Sequence, residues 1–197
     1  LQRVVEREGG CLAWGGGMRL SPADDVLIQI ERPLDFDSDG QMVASILSKK
    51  AAAGSTHVLI DIPVGSTAKI RTPAAADAIA RRLAFVGEAV GLRVGIHLSD
   101  GRQPVGWGIG PALEAQDVLA VLRNAVGAPG DLREKALDIA GAVLELLPDV
   151  AHGSGRALAA EVLTSGAALR KFLAICAAQG GFREPETARF VKPFLAP

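Results

Sequence analysis

HVLIDIPV, positions 57–64, is apolar everywhere except at His57 and Asp61. A short run this rich in Val and Ile reads as a strand covered on both faces, as at the centre of a parallel sheet. A helix is predicted over about 73–90, with Gly91 as its stop. LRVGIHL, 92–98, then reads as a second buried strand. Strand, helix, strand in that order predicts a right-handed crossover unit. The expected fold class is therefore α/β, a sheet with flanking helices.

Upstream, DSDGQMVASILSKKAAAG (37–54) predicts a helix over 38–53, capped by Asp37 or Ser38 and stopped by Gly54. Residues 1–8 read as helix ended by Gly9 and Gly10, and CLAW (11–14) as a short strand. VLIQIE (26–31) suits either state, and Pro33 is expected to break it. Downstream only helices are predicted, over about 110–124, 130–147, 154–164 and 167–178. No fixed-period repeat is present. The organisation expected is an α/β entry at 1–21, a helical-lobe excursion at 22–53, an α/β domain at 54–181, and a linker or the start of another module at 182–197. The chain opens on Leu1 and closes on FREPETARFVKPFLAP, so a piece of a longer protein is expected.

Hydrophobic residues make up 49% of the 197, enough for a sizeable core. Aromatics are 4%, Tyr is absent and the net charge is −1. Neither the stacking rings nor the basic patch of a nucleic-acid binder is there. Cys11 and Cys176 match no metal-ligand spacing and read as thiols in a reducing cytoplasm. No apolar run reaches membrane length, so no membrane partner is expected, and a cytoplasmic location is.

DIPVGSTAKI (61–70) runs from a strand end into a Gly-containing loop, where α/β folds bind ligands. Gly65 permits close backbone approach, Ser66 and Thr67 offer hydroxyls, and Lys69 is a cation; a plain turn with a solvated Lys explains the same residues. The glycines at 106, 108 and 110 are one residue short of a dinucleotide fingerprint, and no acidic residue ends a following strand. They read instead as glycines for close packing. Glu114 falls in the first turn of the next helix, where a carboxylate is favoured. DFDSDG (35–40) lacks the bidentate Glu of a calcium loop, since position 46 is Ile. A carboxylate there could serve as an acid if burial raised its pKa. His57, His97 and His152 read as structural. On the 38–53 helix, Gln41, Ser45 and Lys49 recur one turn apart opposite Val43, Ile46 and Leu47. By pattern alone that polar stripe is a solvated face.

Several of these stretches, taken together, resemble the thymidine phosphorylase / AMP phosphorylase family. They are GGCLAWGG (9–16), LSPADD (20–25), DSDGQMVASILSKKAAAG, DIPVGSTAKI, DGRQPVGWGIGPALEAQDVL (100–119) and SGAALRKFLAICAAQGG (165–181). GGCLAWGG and DIPVG look more like the AMP phosphorylase and uncharacterised thymidine phosphorylase branch. The resemblance implies a partial nucleoside phosphorylase catalytic domain. It also implies a pentosyltransferase that splits thymidine or a related nucleoside with inorganic phosphate, giving free base and a (deoxy)ribose 1-phosphate. A nucleoside 5′-monophosphate (AMP, CMP or UMP) is the alternative substrate, and a non-catalytic assembly module of the same fold is the alternative from another class. Ser45 and Lys49 match the base-contacting Ser and Lys of S-x-x-x-K. Asp37 resembles the proton donor of the AMP branch, and Lys69 its substrate-binding Lys. Glu114 matches a Glu that helps hold potassium in some relatives. No organic cofactor is implied, and the full-length protein is expected to be a homodimer.

Three departures bear on this. The family's phosphate-binding segment would lie before Leu1. The Arg that precedes the Ser in pyrimidine phosphorylases falls at Ile30, with Arg32 two residues off. Thr67 stands where the family usually has Gly.

Overall fold

The computed structural model describes residues 1–13, 20–34 and 38–183. Among them are eight helices and two strands: α1 (Gln2–Glu8), α2 (Pro22–Leu34), α3 (Asp39–Ala52), β1 (His57–Val64), α4 (Pro73–Ala89), β2 (Arg93–Asp100), α5 (Pro111–Leu122), α6 (Gly130–Leu144), α7 (Gly155–Thr164) and α8 (Ala167–Ala178). The strands are parallel and in register, His57 opposite Arg93 through Val64 opposite Asp100. With α4 between them, they form the strand–helix–strand unit that their apolar runs predict.

The chain divides into two compact units. One is drawn from Leu1–Leu12, Val105–Asp138 and Arg156–Pro197, the other from Ala13–Pro104 and Ile139–Gly155. The second holds the sheet. Val58, Ile60 and Ile62 are buried on one face of β1, and α4 lays Ala76, Ile79, Leu83 and Gly87 against the strands. Those four recur at three- and four-residue spacing, one stripe of a helix. α3 adds Val43 and Leu47 to the same core. Thr72 caps α4 by accepting from Ala75 N–H, and Pro73 sits in its first turn, where the missing N–H costs nothing. Ser38, one of the two caps foreseen, accepts from Gln41 N–H at the start of α3.

VLIQIE falls inside α2, which continues through Pro33 to Leu34. The expected break does not occur there, because a helix can carry Pro close to its end at the loss of a single backbone bond. Residues 11–13 adopt no regular structure, so CLAW forms no strand over those residues. Residues 14–19, which include Trp14 of CLAW, and residues 184–197 lie outside the described residues.

In the other unit, α1 packs on α8, with Gly9 ending α1 in the left-handed region. The Gln179 side-chain amide accepts from Leu12 N–H and donates to Leu12 O, clipping the chain after α1. Leu119, Val121, Leu137, Ala159 and Leu163 are its buried apolar side chains. Among the described residues no helix is long and apolar enough to cross a membrane.

Candidate functional site

The polar stripe of α3 does not face water. Gln41, Ser45 and Lys49 all reach one carboxylate, that of Asp24 in the first turn of α2. Gln41 Nε2 donates to Oδ1 at 3.2 Å, Ser45 Oγ donates to Oδ2 at 2.8 Å, and Lys49 Nζ lies 2.6 Å from Oδ2. Lys49 Nζ also donates to Ser45 Oγ at 3.3 Å. Ser48, one residue off the stripe, is exposed and donates to Ser21 Oγ. Three residues spaced by four on a helix converge on one point because each step of four advances 400°, leaving them in one nearly straight row.

Asp24 is 5% exposed, while the Lys49 side chain keeps 34% of its surface. Burial pushes the Asp24 carboxyl up; the hydrogen bonds from Lys49, Ser45 and Gln41 with the Lys49 charge more than offset it, so the group sits below its ordinary 3.8. A buried carboxylate is tolerable only when its oxygens are occupied in this way.

Lys69 lies on the loop after β1 and is exposed. It lines an apolar cavity of about 380 Å³, together with Met42 and Ile46 of α3, Asp61 and Ile62 of β1, and Leu83 of α4. Ser45 and Lys49 are not among this cavity's lining residues. Gly65 is buried, and a Cβ there would come within 2.8 Å of Gly101 C and 2.9 Å of Arg102 N. A Cβ at Gly101 would in turn meet Ala68 Cβ at 2.9 Å. The close partner that Gly65 admits is the loop after β2, and Thr67 Oγ1 donates across the same junction to Gly101 O. Asp100 at the end of β2 is held at about 2 by its hydrogen bonds from the Arg102 side chain and backbone.

Glu114 belongs to the other unit. Its Oε1 accepts from Gly110 N–H at 2.9 Å, closing the first turn of α5. Asp117 Oδ2 takes the N–H groups of Trp107 and Gly108, each at 2.7 Å, and Asp131 Oδ2 takes that of Gly106. The glycines of G-x-G-x-G thus turn their amides to carboxylates of their own unit, and a Cβ on Gly108 would strike Leu113. Among the described residues no three His, Cys, Asp or Glu side chains gather as metal ligands. Asp37 lies outside the described residues.

Of the residues foreseen, Ser45 and Lys49 are brought together. Asp24, which organises them, is missed by periodicity, since it lies on another helix. The signal that could have found it is its place in LSPADD, one of the stretches that carry the family resemblance.

Over nearly its whole length the chain is similar in sequence to parts of longer proteins. The chain is 65% identical over 184 residues to "Putative thymidine phosphorylase 1" of Acidovorax sp. (strain JS42), covering 93% of this chain and 36% of that protein. It is 62% identical over 188 residues to "Putative thymidine phosphorylase" of Hahella chejuensis, covering 95% and 37%. With the protein of the same name from Parvibaculum lavamentivorans it shares 58% over 196 residues, covering 100% and 39%. No family model matches the chain. The chain is similar over 93% or more of its length to these three proteins and spans between 36% and 39% of theirs.

Proposed function

We propose that the full-length protein containing this chain is a nucleoside phosphorylase acting on thymidine, and that this chain supplies its base-contacting helix. What carries the reading is the Asp24–Ser45–Lys49 cluster in a chain similar over 93% or more of its length to proteins named for that activity. Inorganic phosphate attacks C1′, the bond from C1′ to the base nitrogen breaks, and the bonding pair leaves with the base. Charge then grows on the base carbonyls. An ammonium hydrogen still available on Lys49 is suited to a carbonyl that gains charge, and such donors lower a barrier by acting mainly in the transition state. Asp37 serves as the proton donor in this reading. No organic cofactor takes part. Glu114 as a potassium ligand rests on the resemblance alone, and its Oε1 already accepts from Gly110 N–H at the start of α5.

The partial phosphorylase catalytic fold, the cytoplasmic location and the homodimer belong to the same proposal. A second reading, a nucleoside 5′-monophosphate substrate, is favoured by Lys69, an exposed cation on the loop after β1 whose charge suits a 5′-phosphate. The test is phosphate-dependent base release by the full-length protein from thymidine, uridine, AMP, CMP and UMP. Thymine release supports the first reading, and release only from monophosphates replaces it with the second. No release from any, with the protein folded, leaves an assembly module of the same fold. The 197-residue chain alone is expected to release no base.

A further inference from the structure

We infer that Asp24 is a positioning residue that sets the hydrogen-bonding polarity of the Ser45–Lys49 pair, and through it selects bases with an imide edge over 4-aminopyrimidines. The inference rests on the reading of Ser45 and Lys49 as base contacts. Ser45 has one hydroxyl hydrogen, and it goes to Asp24 Oδ2. One Ser45 lone pair takes a hydrogen from Lys49 Nζ. What Ser45 has left for a ligand is a lone pair, an acceptor. Lys49 has three hydrogens, of which one faces Asp24 and one faces Ser45, leaving a single donor. Side by side, acceptor and donor form the complement of an N–H next to a C=O, the imide edge of uracil and thymine. In the pose that pairs uracil, cytosine presents a bare ring nitrogen beside an amine, the reverse order, and leaves both protein groups facing their like.

The geometry at Asp24 is what prevents Ser45 from reversing. A free serine hydroxyl rotates to suit its partner. Here rotation would break the 2.8 Å bond to a carboxylate that is 5% exposed and therefore largely shut off from solvent. Gln41 on Oδ1 holds the carboxylate plane, so Oδ2 keeps its direction toward both Ser45 and Lys49. A site built to pair a specific N–H and C=O rejects the wrong edge strongly, because the mismatch strands buried polar groups.

The test is equilibrium binding of free thymine, uracil and cytosine to the full-length protein, by calorimetry, in the wild type, Asp24→Asn and Asp24→Glu. The same proteins are assayed for base release from deoxyuridine and deoxycytidine. Wild type should bind uracil at least about tenfold more tightly than cytosine. In Asp24→Asn the amide can donate to Ser45 Oγ and free its hydroxyl to turn, so that ratio should fall toward one. Asp24→Glu, which restores the carboxylate, should recover part of it. If Asp24→Asn folds, as judged by its melting curve, and keeps the wild-type ratio, Asp24 is merely structural and the inference is wrong. It is equally wrong if wild type binds no base. Selective base binding without phosphorolysis, with the ratio collapsing in Asp24→Asn, sinks the catalytic reading and leaves the role of Asp24 standing.

Discussion

Two clusters in this chain are made of the same chemistry and differ in burial. In one, Arg156 bridges Glu134 and Asp138 across α6 and α7, with every side chain between 44% and 53% exposed. In the other, Lys49 meets an Asp24 that is 5% exposed. The charges in the first are already solvated, so pairing adds little, and salt screens what remains. Asp24 is largely shut off from solvent, and its hydrogen-bond donors stand in for hydration. The contrast teaches that an ion pair's meaning lies in what its removal strands. Removing Arg156 strands nothing, whereas removing Lys49 leaves a carboxylate under a helix.

The comparison is sharpened most by Lys49→Ala in the full-length protein. Base release should fall by about two to three orders of magnitude, the loss typical of a donor acting on transition-state charge. A change under threefold in kcat/KM would remove Lys49 from the chemistry. Asp24→Ala comes next, through stability. It leaves Lys49 and Ser45 without their anchor, and since Lys49 keeps a third of its surface the cost is about 1–3 kcal/mol in chemical denaturation. Acid probes the same bond. Asp24's pKa is depressed, so its contribution is fully present above the ordinary value of 3.8 and disappears as pH falls through the lower folded value. Protection of α2 amides from hydrogen exchange should therefore hold at pH 5 and weaken as pH falls below 3.8 in wild type, but not further in Asp24→Asn. Smallest of all, Arg156→Ala should leave the denaturation midpoint unchanged at any salt concentration. A clear drop that disappears in high salt would erase the distinction between the clusters.

Much of this could be read in the residues, and the limits have physical causes. β1 at 57–64 and α4 near 73–90 follow from local pattern, because a short, mostly apolar run and a stripe at three- and four-residue spacing each have one good solution. Ser38 and Gly9 end their helices by short-range chemistry. The polar stripe of α3 is different. Its periodicity is plain, but whether it meets water or a carboxylate depends on α2, which packs there only in three dimensions. The resemblance placed Ser45 and Lys49 at a base, and did not say what orders them. Gly65 was legible as a site of close approach while its partner, the loop around Gly101, was not, since the two meet only once the strands are in register.

That loop junction has a consequence for anyone redesigning the region. Gly65 and Gly101 act as two halves of a hinge-free seam in which each lacks a side chain so that the other's backbone can occupy the space. Grafting a new 65–70 loop to move Lys69, without carrying the 101–104 loop with it, would split the seam and shift both strand ends together. The practical unit of exchange is therefore the pair of loops, and a library that varies them jointly keeps variants that single-loop libraries discard.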